Sequence, residues 1–104
     1  MSNHSRRKGS KNERAIVRLL QEHGFAAEKI SRSGYTGTDI SIPLIGRDHR
    51  VEAKVRGTGF RQLYDWLDGA DILIVKSDRR EMLVVLPLRL AIEIAKIAEA
   101  RRNA

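Results

Sequence analysis

Asp39-Ile40-Ser41-Ile42-Pro43-Leu44-Ile45-Gly46-Arg47-Asp48-His49-Arg50-Val51-Glu52-Ala53-Lys54-Val55 is the stretch that decides how the chain folds. Ile40, Ile42 and Leu44 alternate with Asp39 and Ser41. After Gly46-Arg47-Asp48 the alternation resumes, with Val51, Ala53 and Val55 set against Arg50, Glu52 and Lys54. A period of two marks a strand with one buried face, so a hairpin turning at Gly46-Arg47-Asp48 is expected. Successive strand side chains point to opposite faces. If both apolar sets enter one core, Asp39, Glu52 and Lys54 converge on the other side of the pleat. A turn centred near Gly46 sets Asp39 opposite Lys54, in a register that is assumed; a slip of one residue sends every side chain to the wrong face.

Two carboxylates beside an ammonium suit phosphodiester hydrolysis. Carboxylate oxygens are hard ligands for Mg²⁺, which takes one or two of them and keeps several waters. Such an ion acidifies a bound water and neutralises charge developing on the phosphate, and Lys54 is placed to orient the water or stabilise that charge. The competing explanation is a surface ion pair between neighbouring side chains, which contributes little. Glu13 bears on the choice. It precedes Ile16 by three residues and Leu20 by seven, on the apolar stripe of an expected first helix. A carboxylate there needs a partner, unless it serves the helix dipole from the first turn. With the hairpin, a third acid facing the cluster is the more economical account.

Outward from the hairpin, Ser10 or Asn12 is expected to cap the first helix. The helix buries Ala15, Ile16, Leu19 and Leu20 and stops at Gly24. Residues 1–9 lack periodicity and read as a flexible basic arm, with residues 10–104 forming a single domain. A strand is expected within Phe25–Ile30, followed by the turn-rich 31–37. A short helix is expected over Phe60–Leu67, strands over Asp71–Lys76 and Met82–Leu86, and a last helix from Pro87 to about Arg101. The order α-β-β-β-α-β-β-α makes this an α/β chain with a central mixed sheet flanked by helices.

The 104 residues suit one core, with 41% hydrophobic and 32% charged residues. The absence of cysteine excludes disulfide scaffolds, zinc ribbons and thiol nucleophiles. His4, His23 and His49 are too scattered to suggest a metal site. No apolar run approaches the length of a membrane span and no secretory leader opens the chain, so a cytoplasmic location without a membrane partner is expected. A net charge of +7 and a pI near 10.4 point to a polyanionic partner, although many small soluble proteins are as basic. Arg6, Arg7, Lys8, Lys11 and Arg14 cluster at the start.

Arg7-Lys8-Gly9-Ser10, Glu13-Arg14, Leu19-Leu20, Gly24-Phe25, Ser31-Arg32-Ser33-Gly34, Thr38-Asp39-Ile40 and Val51-Glu52-Ala53-Lys54 follow one another in an order that resembles archaeal-type Holliday junction resolvases. These belong to the PD-(D/E)XK nuclease superfamily with a restriction-endonuclease-like fold. The motifs cover about Arg6 to Lys54, and the likeness continues by element order to Leu86. The resemblance implies that Asp39 and Glu52 bind Mg²⁺ (Mn²⁺ as a substitute), with the Ala53 carbonyl completing the coordination. It implies Lys54 as the motif lysine, Glu13 as the first-helix acid supporting the metal, and Ser33 as a loop serine near the scissile phosphate. Arg7, Lys8 and Gln62 are the implied DNA contacts; the basic residues Arg6, Lys11, Arg32 and Arg56 are expected to join them, and Tyr35 either stacks on a base or lies on the protein surface. Thr38 stands where the superfamily's name has proline, and the loop before Asp39 is short. Both departures leave the exact DNA substrate open.

The last helix carries two apolar rows, Leu88/Ala91/Ala95/Ala98 and Leu90/Ile94/Ile97. That is a wider surface than one small sheet covers, so a homodimer is expected. Phe60, Tyr64 and Trp66 are expected in the core or an interface. Three functions fit: a metal-dependent endonuclease for branched DNA, most of all Holliday junctions; a nicking, restriction or repair nuclease; and a non-catalytic nucleic-acid-binding module of the same fold. The four residues Glu13, Asp39, Glu52 and Lys54 favour catalysis, because converging acids repel DNA unless a cation lies between them.

Overall fold

The computed structural model describes residues 3–30 and 39–104, with side chains at 11–30 and 40–104. The expected order is present: α1 (Asn3–Glu22), β1 (Glu28–Ile30), β2 (Asp39–Leu44), β3 (Arg47–Glu52), α2 (Arg61–Leu67), β4 (Leu73–Val75), β5 (Leu83–Val85) and α3 (Leu88–Arg102). The fold is α/β and consistent with a restriction-endonuclease-like arrangement. Among the described residues the strands form two antiparallel sheets, β1-β2-β3 and β4-β5, where one mixed sheet was expected. Two compact units result, Met1–Val55 with Ala98–Ala104, and Arg56–Ile97.

α1 starts at Asn3, so Asn3 to Gly9, read as a flexible arm, is helical instead. Arginine and lysine are good helix formers, and the helix continues through Gly9 at a cost of about 1 kcal/mol. The inward stripe is Glu13 and Leu20, both buried, with Ile16 and Val17 half-buried between them, spaced i, i+3, i+4, i+7. Ala15 and Leu19, expected inside, are exposed. The helix ends where Gly24 adopts φ +90°. Phe25 N–H donates to the Leu20 carbonyl (3.1 Å) and Gly24 N–H to that of Gln21 (3.0 Å), a Schellman cap. Leu20 and Phe25, the apolar pair that accompanies such a cap, are both buried. Gln21 Nε2 donates to the Ala27 carbonyl (2.9 Å), tying the helix end to the chain entering β1.

β2 is the middle strand of its sheet and carries the core of this unit. Ile40 is fully buried and Ile42 nearly so, each such side chain contributing about 1.5–3 kcal/mol. The hairpin turns on Ile45-Gly46, since Leu44 pairs with Arg47. Arg47, Asp48 and His49, expected at or beside the turn, lie in β3. Ile45 at φ +46° and Gly46 at φ +87° both have positive φ, as a type I′ turn requires. Glycine does this freely. A β-branched isoleucine pays roughly 1–3 kcal/mol.

In the second unit α2 buries no residue. Tyr64 and Trp66, expected in the core or an interface, are 74% and 56% exposed, and so are not core residues. β4 pairs with β5 through Ile74 and Val84, both more than half exposed. Pro87 sits at the N-cap position, one residue earlier than expected, its carbonyl accepting from Leu90 and Ala91. Along α3 only Ile92 is buried, while Ile94 and Ile97 are exposed.

Candidate active site

The register of the β2–β3 hairpin sets the site. Cα partners run Leu44↔Arg47, Pro43↔Asp48, Ile42↔His49, Ser41↔Arg50, Ile40↔Val51 and Asp39↔Glu52. Asp39 is thus opposite Glu52 rather than Lys54, two residues from the expected pairing. An even slip preserves parity, so the assignment of faces stands. The pair flanking a two-residue turn is hydrogen-bonded, and the pattern alternates from there. Pro43, which has no N–H to give, thereby falls in a non-hydrogen-bonded pair, and so does Asp39 with Glu52. In such pairs the Cα atoms are about 4.5 Å apart and the side chains closest. Asp39 and Glu52 therefore hold adjoining positions on one face, at the hairpin end remote from the turn.

Glu52 is exposed, and Lys54 Nζ lies 3.1 Å from Glu52 Oε1 with both side chains about half exposed. Arg50, two residues before Glu52 and opposite Ser41, occupies the same face. The same alternation that singles out Glu52 points to Arg50, which is not among the expected site residues. Ala53 follows the last paired residue of β3. His49, which lies in β3, directs its Nε2 to the Leu44 carbonyl at 3.0 Å, so its ring supports the hairpin.

Glu13 is 1% exposed, and neither carboxylate oxygen has a hydrogen-bond partner among the described residues. Lys29 Nζ approaches Glu13 Oε2 at 3.9 Å, a long ion pair. Lys29 is the Cα partner of Ile40 and Ile30 that of Asp39. Lys29 thus belongs to the Ile40 face, and Asp39 with Glu52 to the alternate one. The described contacts bring Glu52 to Lys54 and Glu13 to Lys29; they do not bring Glu13 to Glu52. Lys29 too is absent from the expected site residues, because only the β1 pairing reveals its neighbour. Among the described residues no three acidic or histidine side chains gather tightly enough to hold a metal ion. The Asp39 side chain lies outside the described residues, as do the side chains of Arg6, Arg7 and Lys8, and Arg32, Ser33 and Tyr35 entirely. Lys11 is exposed on α1 and Gln62 on α2. Arg56 is exposed after β3 and engaged in an interaction.

An α/β chain of this element order, with two acids and a lysine at the open end of a hairpin, has the organisation of a restriction-endonuclease-like nuclease. The family of archaeal Holliday junction resolvases (Hjc) matches residues 4–98, and the chain belongs to that family. The match runs across both compact units. No curated protein and no solved structure matches the chain. The family is one of nucleases, which agrees with the activity the hairpin acids suggest. Among the described residues no helix is long and apolar enough to cross a membrane.

Proposed function

We propose that the protein is a homodimeric, Mg²⁺-dependent DNA endonuclease that hydrolyses phosphodiesters of branched DNA, Holliday junctions most of all. The observation that carries this is the pairing of Asp39 with Glu52, two residues before Lys54 on the same face. Like charges directly opposite destabilise a sheet, and a chain with 20 lysines and arginines had cations to place there instead. An acid pair kept in that position fits an oxygen-ligated cation.

The residues suit Mg²⁺. Asp39, Glu52 and the Ala53 carbonyl offer the hard oxygens that Mg²⁺ takes, an ion that keeps several waters besides. Glu13, buried beside Lys29 and without a hydrogen-bond partner among the described residues, enters as a supporting acid only through the resemblance to the family's first-helix glutamate. A bound Mg²⁺ supplies Lewis acidity beside the phosphodiester. The chain's own groups do the rest. The Lys54 ammonium stabilises negative charge developing on the phosphate and orients the attacking water. Ser33 holds the neighbouring phosphate oxygen. Arg6, Arg7, Lys8, Lys11, Arg32 and Arg56 hold backbone phosphates, with Gln62 and Tyr35 as further DNA contacts. Recognition through phosphates reads shape rather than sequence.

One observation favours a second reading. The 3.1 Å contact between Lys54 and Glu52 is what a structural ion pair in a non-catalytic nucleic-acid-binding module looks like. Cleavage of a labelled four-way junction beside linear duplex separates the two, in Mg²⁺ or EDTA, with wild type and Asp39→Asn. Paired nicks in the junction alone, lost with EDTA or the substitution, support the resolvase. Metal-dependent cutting of both DNAs leaves a nuclease of other specificity. Binding without cleavage in Mg²⁺ or Mn²⁺ selects the binding module.

A further inference from the structure

The hairpin that aligns Asp39 with Glu52 turns on a residue poorly suited to its conformation. Type I′ turns favour Asn-Gly because both central residues need positive φ, yet position 45 is isoleucine at φ +46° and 60% exposed. Its own packing does not hold it there. The last turn of α3 meets it there. The Ile45 backbone N–H donates to Glu99 Oε1. Arg102 lies against Gly46, so closely that a Cβ built on Gly46 would sit 2.6 Å from Arg102 Nη2. Glu99 and Arg102 are three residues apart, neighbours on one helical face, and they grip consecutive residues of the turn. Strained conformations persist where their surroundings over-determine them. Both residues lie beyond residues 4–98, the span shared with the resolvase family.

We propose that the end of α3 is a clamp on the β2–β3 turn. Glu99 is a positioning residue that holds Ile45 in the left-handed region and so fixes the pairing that sets Asp39 opposite Glu52. Arg102 closes the outer side of Gly46. Because a two-residue turn determines the hairpin register, loosening it blurs the alignment of the two acids at the other end. The functional consequence rests on the reading of those acids as the active site; the clamp itself does not.

The test uses the full chain as wild type, Glu99→Ala, Glu99→Gln, Ile45→Asn and the double variant Ile45→Asn/Glu99→Ala. Amide hydrogen exchange across β2 and β3 is measured beside cleavage and DNA affinity. Glu99→Ala should raise exchange in the hairpin by about tenfold, through local opening. It should lower the cleavage rate by about tenfold at unchanged DNA affinity, as for an interaction felt only at the reacting centre. Glu99→Gln retains an accepting oxygen and should behave as wild type. Asparagine tolerates the left-handed region, so the double variant should recover both properties to within about threefold. Unchanged exchange in Glu99→Ala overturns the clamp. Raised exchange that Ile45→Asn fails to correct shows that Glu99 does not act by holding the turn. If wild type cleaves nothing, the nuclease reading fails while the exchange data still decide the clamp.

Discussion

Asp39 and Glu52 face one another as a non-hydrogen-bonded cross-strand pair, at the end of the β2–β3 hairpin remote from its turn. The backbone thus brings two acids as near as an antiparallel pair can. That arrangement should cost stability and serve function. Asp39→Asn removes one of two like charges and is expected to stabilise the fold by about 0.2–1 kcal/mol, the range for opposed charges on a sheet. The same change should abolish metal-dependent cleavage. Urea titration and a junction-cleavage assay on one preparation decide it. A variant that is both less stable and fully active would remove Asp39 from the site.

Lys54 is the natural companion test. Its ammonium meets Glu52 at 3.1 Å with both side chains about half exposed. Exposed pairs contribute about 0–1 kcal/mol, so Lys54→Met should leave the unfolding midpoint almost unmoved. If Lys54 stabilises charge at the phosphate, cleavage should fall by about 100-fold to 1,000-fold, the usual loss for one such group. A stable variant with wild-type cleavage would leave the pair a surface ion bridge.

Glu13 separates a structural acid from a functional one. Among the described residues its buried oxygens have no hydrogen bond, and its ionic partner there, Lys29, stands 3.9 Å away. Burying a carboxylate without a close partner is costly, and Lys29, 38% exposed, keeps its access to water when Glu13 is removed. Glu13→Met is therefore expected to match or exceed wild type in thermal unfolding while cutting more slowly in Mg²⁺. Loss of more than about 3 kcal/mol, the penalty for breaking a well-made buried pair, would make Glu13 a structural partner of Lys29.

Much of this site is visible in the alternation of 39–55 alone. Face assignment needs parity only, and the observed register differs from the expected one by two residues, which leaves parity intact. The difference arose at Ile45, because nothing in an isoleucine announces positive φ and the turn was placed on Gly46-Arg47-Asp48 instead. The stop of α1 was legible from Gly24, whose left-handed cap is written in the residue type. Its start was not, since arginine and lysine serve a solvated arm and a helix equally well. The element order led to one mixed sheet, whereas strand pairing is a tertiary choice that short runs such as Leu73–Val75 do not encode. Lys29 was not legible because its ionic neighbour, Glu13, lies on α1, whereas Arg50 shares the alternation that marks Glu52.

The basic start of the chain makes a prediction about salt. If Arg7 and Lys8 contact phosphates, log K for a four-way junction should fall linearly with log salt, and each alanine substitution should flatten the slope by about 0.9. Affinity should drop alike for different sequences, because phosphate contacts carry no base information. Filter binding at several salt concentrations measures both. An unchanged slope would move DNA contact elsewhere on the chain.

The proposed homodimer makes a prediction about the apolar residues exposed on the second unit. Ile74 and Val84 are cross-strand partners on one face of the β4–β5 ribbon, 65% and 59% exposed. Ile72 and Met82, two residues along their segments, are 50% and 64% exposed, and Ile94 and Ile97 stand open on α3. A two-stranded ribbon is marginal by itself in water, and exposed apolar residues paired across it suit an interaction site. A second copy is the occupant that the function asks for, since a two-fold dimer presents two equivalent sites to two strands. Sedimentation equilibrium should give a dimer for wild type and a monomer for Ile74→Asp/Val84→Asp, with helical content retained. Heterodimers of wild type and Asp39→Asn should then nick one strand of a junction without resolving it. A wild type that sediments as a monomer at cleavage-active concentrations rules this arrangement out, because one active site cannot make paired cuts in a single encounter.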